Sequence, residues 1–291
     1  MLNKLKIFLE MIKFEHTVFA LPFAFMGALL GSVVVFGQFP SWAQIGWITL
    51  AMVGARTAAM SLNRVIDKAI DKKNPRTQNR AIPAGLISSN QVWIYIVLSF
   101  ALLLWSTSHL STLSMKLLPV AVFFLVFYSY TKRFTWACHF ILGLTLGFAP
   151  LGGWIAVTGE FTLTSIVFFL TIVCWTTGFD LIYACQDAEF DRQEGLHSIP
   201  SRFGIAGALM TARILHALTA VGLIGLFFMT DLSWWYLIGL TISYIILFYE
   251  HRLVSPKDLS KLNTAFFTMN GILSTVLFAF TLLDVLLVHR P

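Results

Sequence analysis

The 291-residue chain is 57% hydrophobic and only 12% charged, with a formal net charge of +6. Ordinary soluble domains hold about 25% charged residues, so this balance excludes a water-soluble fold and marks an integral membrane protein. Cys138, Cys174 and Cys185 have no spacing that suggests a zinc site or a disulfide framework, and they read as small buried side chains.

Crossing a bilayer takes about 20 apolar residues per helix. Such segments recur from end to end, so residues 1–291 read as one integral membrane domain. Lys4, Lys6 and Lys13 precede an apolar segment that contains Pro22 and lacks a small-residue cleavage site; it reads as a retained helix over 16–36, not a signal peptide. Glu15 and His16 open that helix as an interfacial pair. The second helix is predicted over 42–61. Arg56 lies inside it, seven residues before Asn63 and near the same face, where it either lines a cavity or pairs with a buried acid. A long charged connection, 62–89, follows. Helices over 90–107, 115–131, 136–157 and 163–183 lead to a second charged connection, 184–205. Helices over 206–229, 232–250 and 264–288 complete an all-α, polytopic chain of nine crossings.

With nine crossings, the N-terminus and the connections after the second, fourth, sixth and eighth helices share one side of the membrane. Nearly every Lys and Arg outside the helices falls there, against only Lys116 and Arg290 on the other side. The bias of Lys and Arg toward cytoplasmic loops then places the N-terminus and both charged connections on the cytoplasmic side of the inner membrane. The basic excess is therefore topological and gives no support to nucleic-acid binding.

In the first connection, "NRVIDKAIDKKNPRTQNRAIPAG", Asn63, Asp67 and Asp71 are spaced four apart. If the second helix continues past the membrane surface, successive turns put them on one face, until Pro75 ends or bends it. The second, "DLIYACQDAEFDRQEGLHSIPSRFG", repeats that spacing in Asp187 and Asp191, with Asp180 seven residues before Asp187 and Gly195 a natural helix end. One Asp-x-x-x-Asp usually means only a wet surface. Two copies on the same side, each with basic residues downstream, argue for a site. Facing carboxylates repel unless cations lie between them, and hard oxygen ligands suit Mg²⁺, which binds through a few carboxylates plus substrate phosphates. A diphosphate is the implied third component. Arg76, Arg80, Lys132, Arg133, Arg192 and Arg202 lie on the same face as candidate phosphate partners, while Lys68, Lys72 and Lys73 read as interfacial. Asn63, Asp67, Asp71, Asp187 and Asp191 are the candidate metal ligands.

Over nearly its full length the chain resembles the UbiA superfamily of intramembrane prenyltransferases. "NRVIDKAID" with "KKNPRTQNRAIPAG" is similar to the family's first motif, "DLIYACQDAEFD" with "GLHSIPSRFG" to its second, and "YSYTKR", Tyr128 to Arg133, to its Tyr/Lys segment between helices four and five. "IKFEHTVFALPFA" and the Asn-Arg opening of the first motif look most like the 4-hydroxybenzoate polyprenyltransferase branch, particularly the MqnP-type relatives associated with menaquinone synthesis by the futalosine route. Arg64 stands where many members have Asp, which removes one acidic ligand.

The resemblance implies nine transmembrane helices around a central cavity, with Mg²⁺ held through the two aspartate motifs. It also implies a polyprenyl diphosphate donor and an aromatic acid acceptor, 4-hydroxybenzoate or a hydroxynaphthoate, in ubiquinone or menaquinone biosynthesis within membrane lipid. Asp67, Asp71, Asp187 and Asp191 are then catalytic. Asn63, Arg64, Arg76, Arg80, Tyr128, Lys132 and Arg192 contact substrate, and Arg133 or Arg56 pairs with the acceptor carboxylate. Asp180 or Tyr183 orients a hydroxyl or assists proton removal. A transporter using the acidic motifs as an ion or metabolite site is the alternative, although such sites usually lie near the bilayer midplane.

Overall fold

A computed structural model describes residues 2–13 and 17–288 of the chain. Glu15, His16 and Arg290 lie outside them. The described residues form helices joined by turns and loops, with no strand among them beyond one isolated bridge between Ser255 and Asp258.

The long helices are α2 (Thr17–Phe36), α3 (Trp42–Ile66), α5 (Ser89–Ser108), α6 (Thr112–Thr131), α7 (Cys138–Thr158), α8 (Leu163–Ala184), α10 (Ile199–Met229), α11 (Trp234–Leu253) and α12 (Asn270–Val288). Short helices are α1 (Leu2–Met11), α4 (Lys68–Lys73) and α9 (Ala188–Gln193). Seven helices among the described residues are long and apolar enough to cross a membrane. Of the remaining long ones, α2 carries a shorter apolar piece, Leu21–Phe36, and α11 closes on Glu250, His251 and Arg252. Capping boxes start several spans. The hydroxyls of Ser41, Ser88, Thr162 and Ser198 accept from the backbone N–H three residues on, and the side chain there bonds back.

Close helix approach follows from small residues, since in lipid the drive for association is packing. Helices α2 and α7 touch backbone to backbone: a Cβ at Gly27 would overlap the Pro150 carbonyl, and one at Gly153 the Ala24 carbonyl. Helices α3 and α5 meet in the same way at Gly54, where a Cβ would sit 2.8 Å from the Ser99 oxygen.

Two elements depart from expectation. The α1 helix was not anticipated; its exposed Lys4 and Lys6 flank a stripe in which Phe8 and Met11 are buried and Phe8 stacks on Tyr95 at 4.0 Å. The α10 helix begins at Ile199, not near 206, because a helical turn precedes the kink at Gly204 (φ 76°).

An acid inside the last helix has a structural use. Asp284 is fully buried, and its carboxylate accepts from Ser233 N at 2.9 Å, Ser233 Oγ at 2.7 Å and Tyr236 N at 2.9 Å, so it caps the start of α11 from outside that helix. Asp284→Ala leaves those donors buried without acceptors, at roughly 1–3 kcal/mol for such a group. Its melting temperature in detergent is expected to fall by several degrees, with the kinetics of the surviving protein unchanged.

Candidate active site

Helix α3 does not run unbroken through the first charged connection. It ends at Ile66, Asp67 adopts φ −88° and ψ 2°, and α4 restarts at Lys68 and gives way at Asn74, just before Pro75. The kink leaves Asn63, Asp67 and Asp71 lining one cavity. On the other wall α8 passes through a 3-10 turn, Cys185–Asp187, into α9, and Gly195 at φ 69° ends it where the sequence suggested. Asp180, Asp187 and Asp191 line the same cavity.

The two connections meet. Asn74 Nδ2 donates to Asp187 Oδ1 at 2.9 Å, and Arg76 grips the same carboxylate with Nε at 2.9 Å and with Nη2. Lys73 pairs with Glu194 at 2.6 Å, and His197 N donates to the Lys132 carbonyl at 2.7 Å. Every acid of the first motif also has a cation. Asp67, 2% exposed, takes Lys132 Nζ at 2.6 Å, Arg133 Nη2 at 2.9 Å and Asn63 Nδ2 at 3.1 Å. Asp71, 4% exposed, takes Arg80 Nη1 at 2.7 Å, while its Oδ2 is buried with no partner. Burial opposes the charge of Arg76, but the contact with Asp187 outweighs it and raises the guanidinium pKa above its ordinary value.

The remaining candidates divide. Arg64 lines the cavity and donates to Asn63 Oδ1 at 3.3 Å, so the Asn63 amide oxygen is engaged by a neighbouring cation. Tyr128 lines it and anchors α6 to α3 through a 3.1 Å bond to the Ala59 carbonyl. Tyr183 lines it beneath the Arg76 guanidinium, 5.4 Å from the ring centre. Arg56 lines it too. No acid pairs with Arg56 among the described residues, and its Nε is buried without a partner. Arg133 is spent on Asp67 and the carbonyls of Ser129 and Ile66. Two expected substrate cations stand elsewhere: Arg192 pairs with Glu189, 56% exposed, and Arg202 lies over Trp136 and Phe203.

The cavity has a volume of about 1220 Å³ and extends from these carboxylates along α3 and α7 to Leu110, Ile155 and Phe161 at the far end of the bundle. Its floor shows what the sequence reading missed. Trp175, Phe179, Tyr183 and Asp187 follow one another at four-residue steps along α8, a stripe visible in "WTTGFDLIYACQD". Successive rings touch: Phe23 to Trp175 at 4.7 Å, Trp175 to Phe179 at 5.0 Å, Phe179 to Phe266 at 5.3 Å and Phe266 to Tyr183 at 4.2 Å. A π-helical turn, Thr264–Met269, brings in Phe266; its widened backbone is satisfied by Asn270 Nδ2, which donates to the carbonyls of Ala265 and Phe266. Aromatic rings thus run continuously from mid-cavity to Asp187.

Among the described residues no three acid, His or Cys side chains converge as a ready metal cage. Mg²⁺ does not require one, because it is held by one or two carboxylates together with waters and substrate phosphates. The all-oxygen donor set and the unpartnered Asp71 Oδ2 fit that mode, as two half-sites on facing walls.

Residues 21–272 match the model of the UbiA prenyltransferase family. A 4-hydroxybenzoate octaprenyltransferase from Francisella tularensis subsp. novicida is 31% identical over 157 residues, 54% of this chain and 55% of that protein, so the match spans about half the length of that curated relative. The apo structure of a UbiA homolog from Aeropyrum pernix superimposes with a TM-score of 0.84 at 28% identity, covering 93% of this chain and 98% of that one. A UbiA homolog from Archaeoglobus fulgidus, solved bound to DMAPP and Mg²⁺, gives a TM-score of 0.74 at 20% identity, over 97% and 99% of the two chains; at that identity the likeness concerns the fold.

Proposed function

The chain belongs to the UbiA prenyltransferase family, and on that premise we propose that it transfers a polyprenyl group from a polyprenyl diphosphate to an aromatic acid, 4-hydroxybenzoate or a hydroxynaphthoate, in quinone biosynthesis. One observation carries the reading. Two aspartate motifs meet at one end of a deep apolar cavity, and a ladder of aromatic rings leads away from them. The charged end faces the cytoplasm of the inner membrane, by the Lys and Arg bias.

Asp67 and Asp71 on one wall and Asp187 and Asp191 on the other are the residues that would hold Mg²⁺; the Archaeoglobus homolog was solved with Mg²⁺ and DMAPP bound. The metal, when bound, neutralises charge on the departing diphosphate. The chain's own contribution is cationic. Lys132, Arg76 and Arg80 rest on the motif carboxylates at 2.5–2.9 Å, poised to move onto phosphate oxygens as the donor arrives. When the bond from the prenyl carbon to oxygen breaks, its electron pair leaves with the diphosphate. The rings of Tyr183, Phe179 and Phe266 then face the allylic cation while the apolar walls keep water away. Ring electrons of the acceptor close the new carbon–carbon bond. Arg56 holds the acceptor carboxylate, because it is a cavity cation without a protein acid, whereas Arg133 is already committed.

Purified protein with Mg²⁺, a series of prenyl diphosphates and both acceptors tests this directly by product mass. Diphosphate release is expected to depend on the acceptor and to stop with chelator. Metal-gradient-driven uptake into liposomes with no prenylated product would establish the transport reading instead.

A further inference from the structure

Asp67, Asp71 and Asp187 at the cavity mouth are held by Lys and Arg, but Asp180 is held differently. Its Oδ2 lies 2.7 Å from Nδ1 of His139, across the α7–α8 interface. His139 is 5% exposed and lines the cavity, and its Nε2 is buried with no protein partner. An imidazole oriented by a carboxylate through one nitrogen, with the other nitrogen unpaired just behind the cavity surface, has the arrangement of a general base that a bound acceptor completes.

Its depth is right for an acceptor. Asp180 precedes Asp187 by seven residues on α8, and Arg56 precedes Asn63 by seven on α3. Each step corresponds to about 10 Å along a helix. The His139–Asp180 pair therefore stands one step below Asp187 on one wall, and Arg56 one step below Asn63 on the other. An aromatic acid whose carboxylate meets Arg56 turns its far end toward α7 and α8.

We propose that His139, oriented by Asp180, is a catalytic residue of this reaction: Nε2 accepts the proton of the acceptor's ring hydroxyl. This rests on the prenyl-transfer reading above. The resulting phenolate pushes electrons to the ring carbon beside it, and that carbon bonds the prenyl cation to give a neutral dienone. The ring proton at the new bond passes to the departed diphosphate, aromaticity returns, and the imidazolium restores its proton to the oxygen. Every proton is accounted for, and no redox partner is needed. The role requires the tautomer with Nδ1–H toward Asp180 and Nε2 free.

The test uses the full chain in nanodiscs, with 4-hydroxybenzoate and a ring-fluorinated 4-hydroxybenzoate whose hydroxyl ionises more easily. For His139→Ala the expected result is a drop in kcat of about 10²-fold or more with the parent acceptor. The loss should be at least tenfold smaller with the fluorinated one, and binding of a non-reactive thiodiphosphate donor should be retained. His139→Gln, which keeps volume and polarity, is expected to behave like the alanine variant, and Asp180→Asn to show the same acceptor dependence more weakly. An equal loss with both acceptors, loss of donor binding, or near-normal turnover in both His139 variants overturns the assignment. An unsubstituted chain that prenylates neither acceptor removes the premise and this assignment together; an active chain indifferent to His139 removes this assignment alone.

Discussion

Asp187→Asn is expected to lower turnover about 10³-fold while leaving the protein folded and inserted. The carboxylate stands where the two charged connections join, held by Asn74 and Arg76, and its loss removes both a metal ligand and the anchor that aims Arg76 at the leaving group. Removing one pre-organised electrostatic contact to a developing charge typically costs 10²–10³ in rate; losing two linked contacts puts the expectation at the top of that range. Asp67→Asn is a less clean test of the same idea. Asp67 is 2% exposed and pairs with both Lys132 and Arg133, each with a side chain 30% exposed, so its removal leaves two half-buried cations without their acid; breaking a fully buried pair costs about 3–5 kcal/mol, which is the upper bound here. Asp187 is the more exposed acid, with a side chain 18% exposed against 3% for Asp67, and it leaves one cation unpaired, not two, so solvent softens its loss. The Asn variants should therefore separate: Asp187→Asn loses rate with little change in melting temperature, and Asp67→Asn loses both. Steady-state turnover together with thermal unfolding in one detergent decides it. Near-normal turnover in both variants removes the metal-site model.

What the sequence disclosed and what it hid follow from the range of the interactions involved. Four-residue spacing is a local property of a helix, so Asp67 with Asp71 and Asp187 with Asp191 were readable as pairs, and loop parity placed them on one side. Gly195 and Pro75 act through their own backbone, and they end helices where expected. Which cation meets which acid is a tertiary fact. Nothing in the chain order says that Arg133 turns inward to Asp67 while Arg192 turns outward to Glu189. Asp284 shows the limit from the other direction. An acid inside a membrane helix is by default a functional candidate, yet this one caps the neighbouring helix, which only packing reveals. His139 drew no attention because a lone histidine at a helix start carries no signal until Asp180 is seen across from it. The aromatic stripe of α8 was legible in principle, but the chain's 27 phenylalanines concealed it.

Replacing Arg56 by Met should separate stability from function in the opposite sense. A guanidinium at the centre of a membrane helix costs about 2.5–3.5 kcal/mol on insertion scales, and here no acid among the described residues offsets it; its Nε is buried without a partner. Such a charge persists only if something other than the fold uses it. Methionine fills similar volume without the charge, so Arg56→Met is expected to melt no lower than the parent chain. Acceptor recognition moves the other way. A hydrogen bond to a charged group is worth about 1.5–3 kcal/mol, which converts to roughly 10–150-fold in KM for the aromatic acid, with donor KM and Mg²⁺ requirement unaltered. An acceptor whose carboxylate is replaced by a carboxamide should lose that discrimination: the parent chain uses it poorly, and Arg56→Met uses the acid and the amide about equally. A variant that loses donor affinity instead would place Arg56 with the diphosphate. One that melts markedly lower with acceptor KM unchanged would make it a structural residue, and the acceptor carboxylate would need another partner.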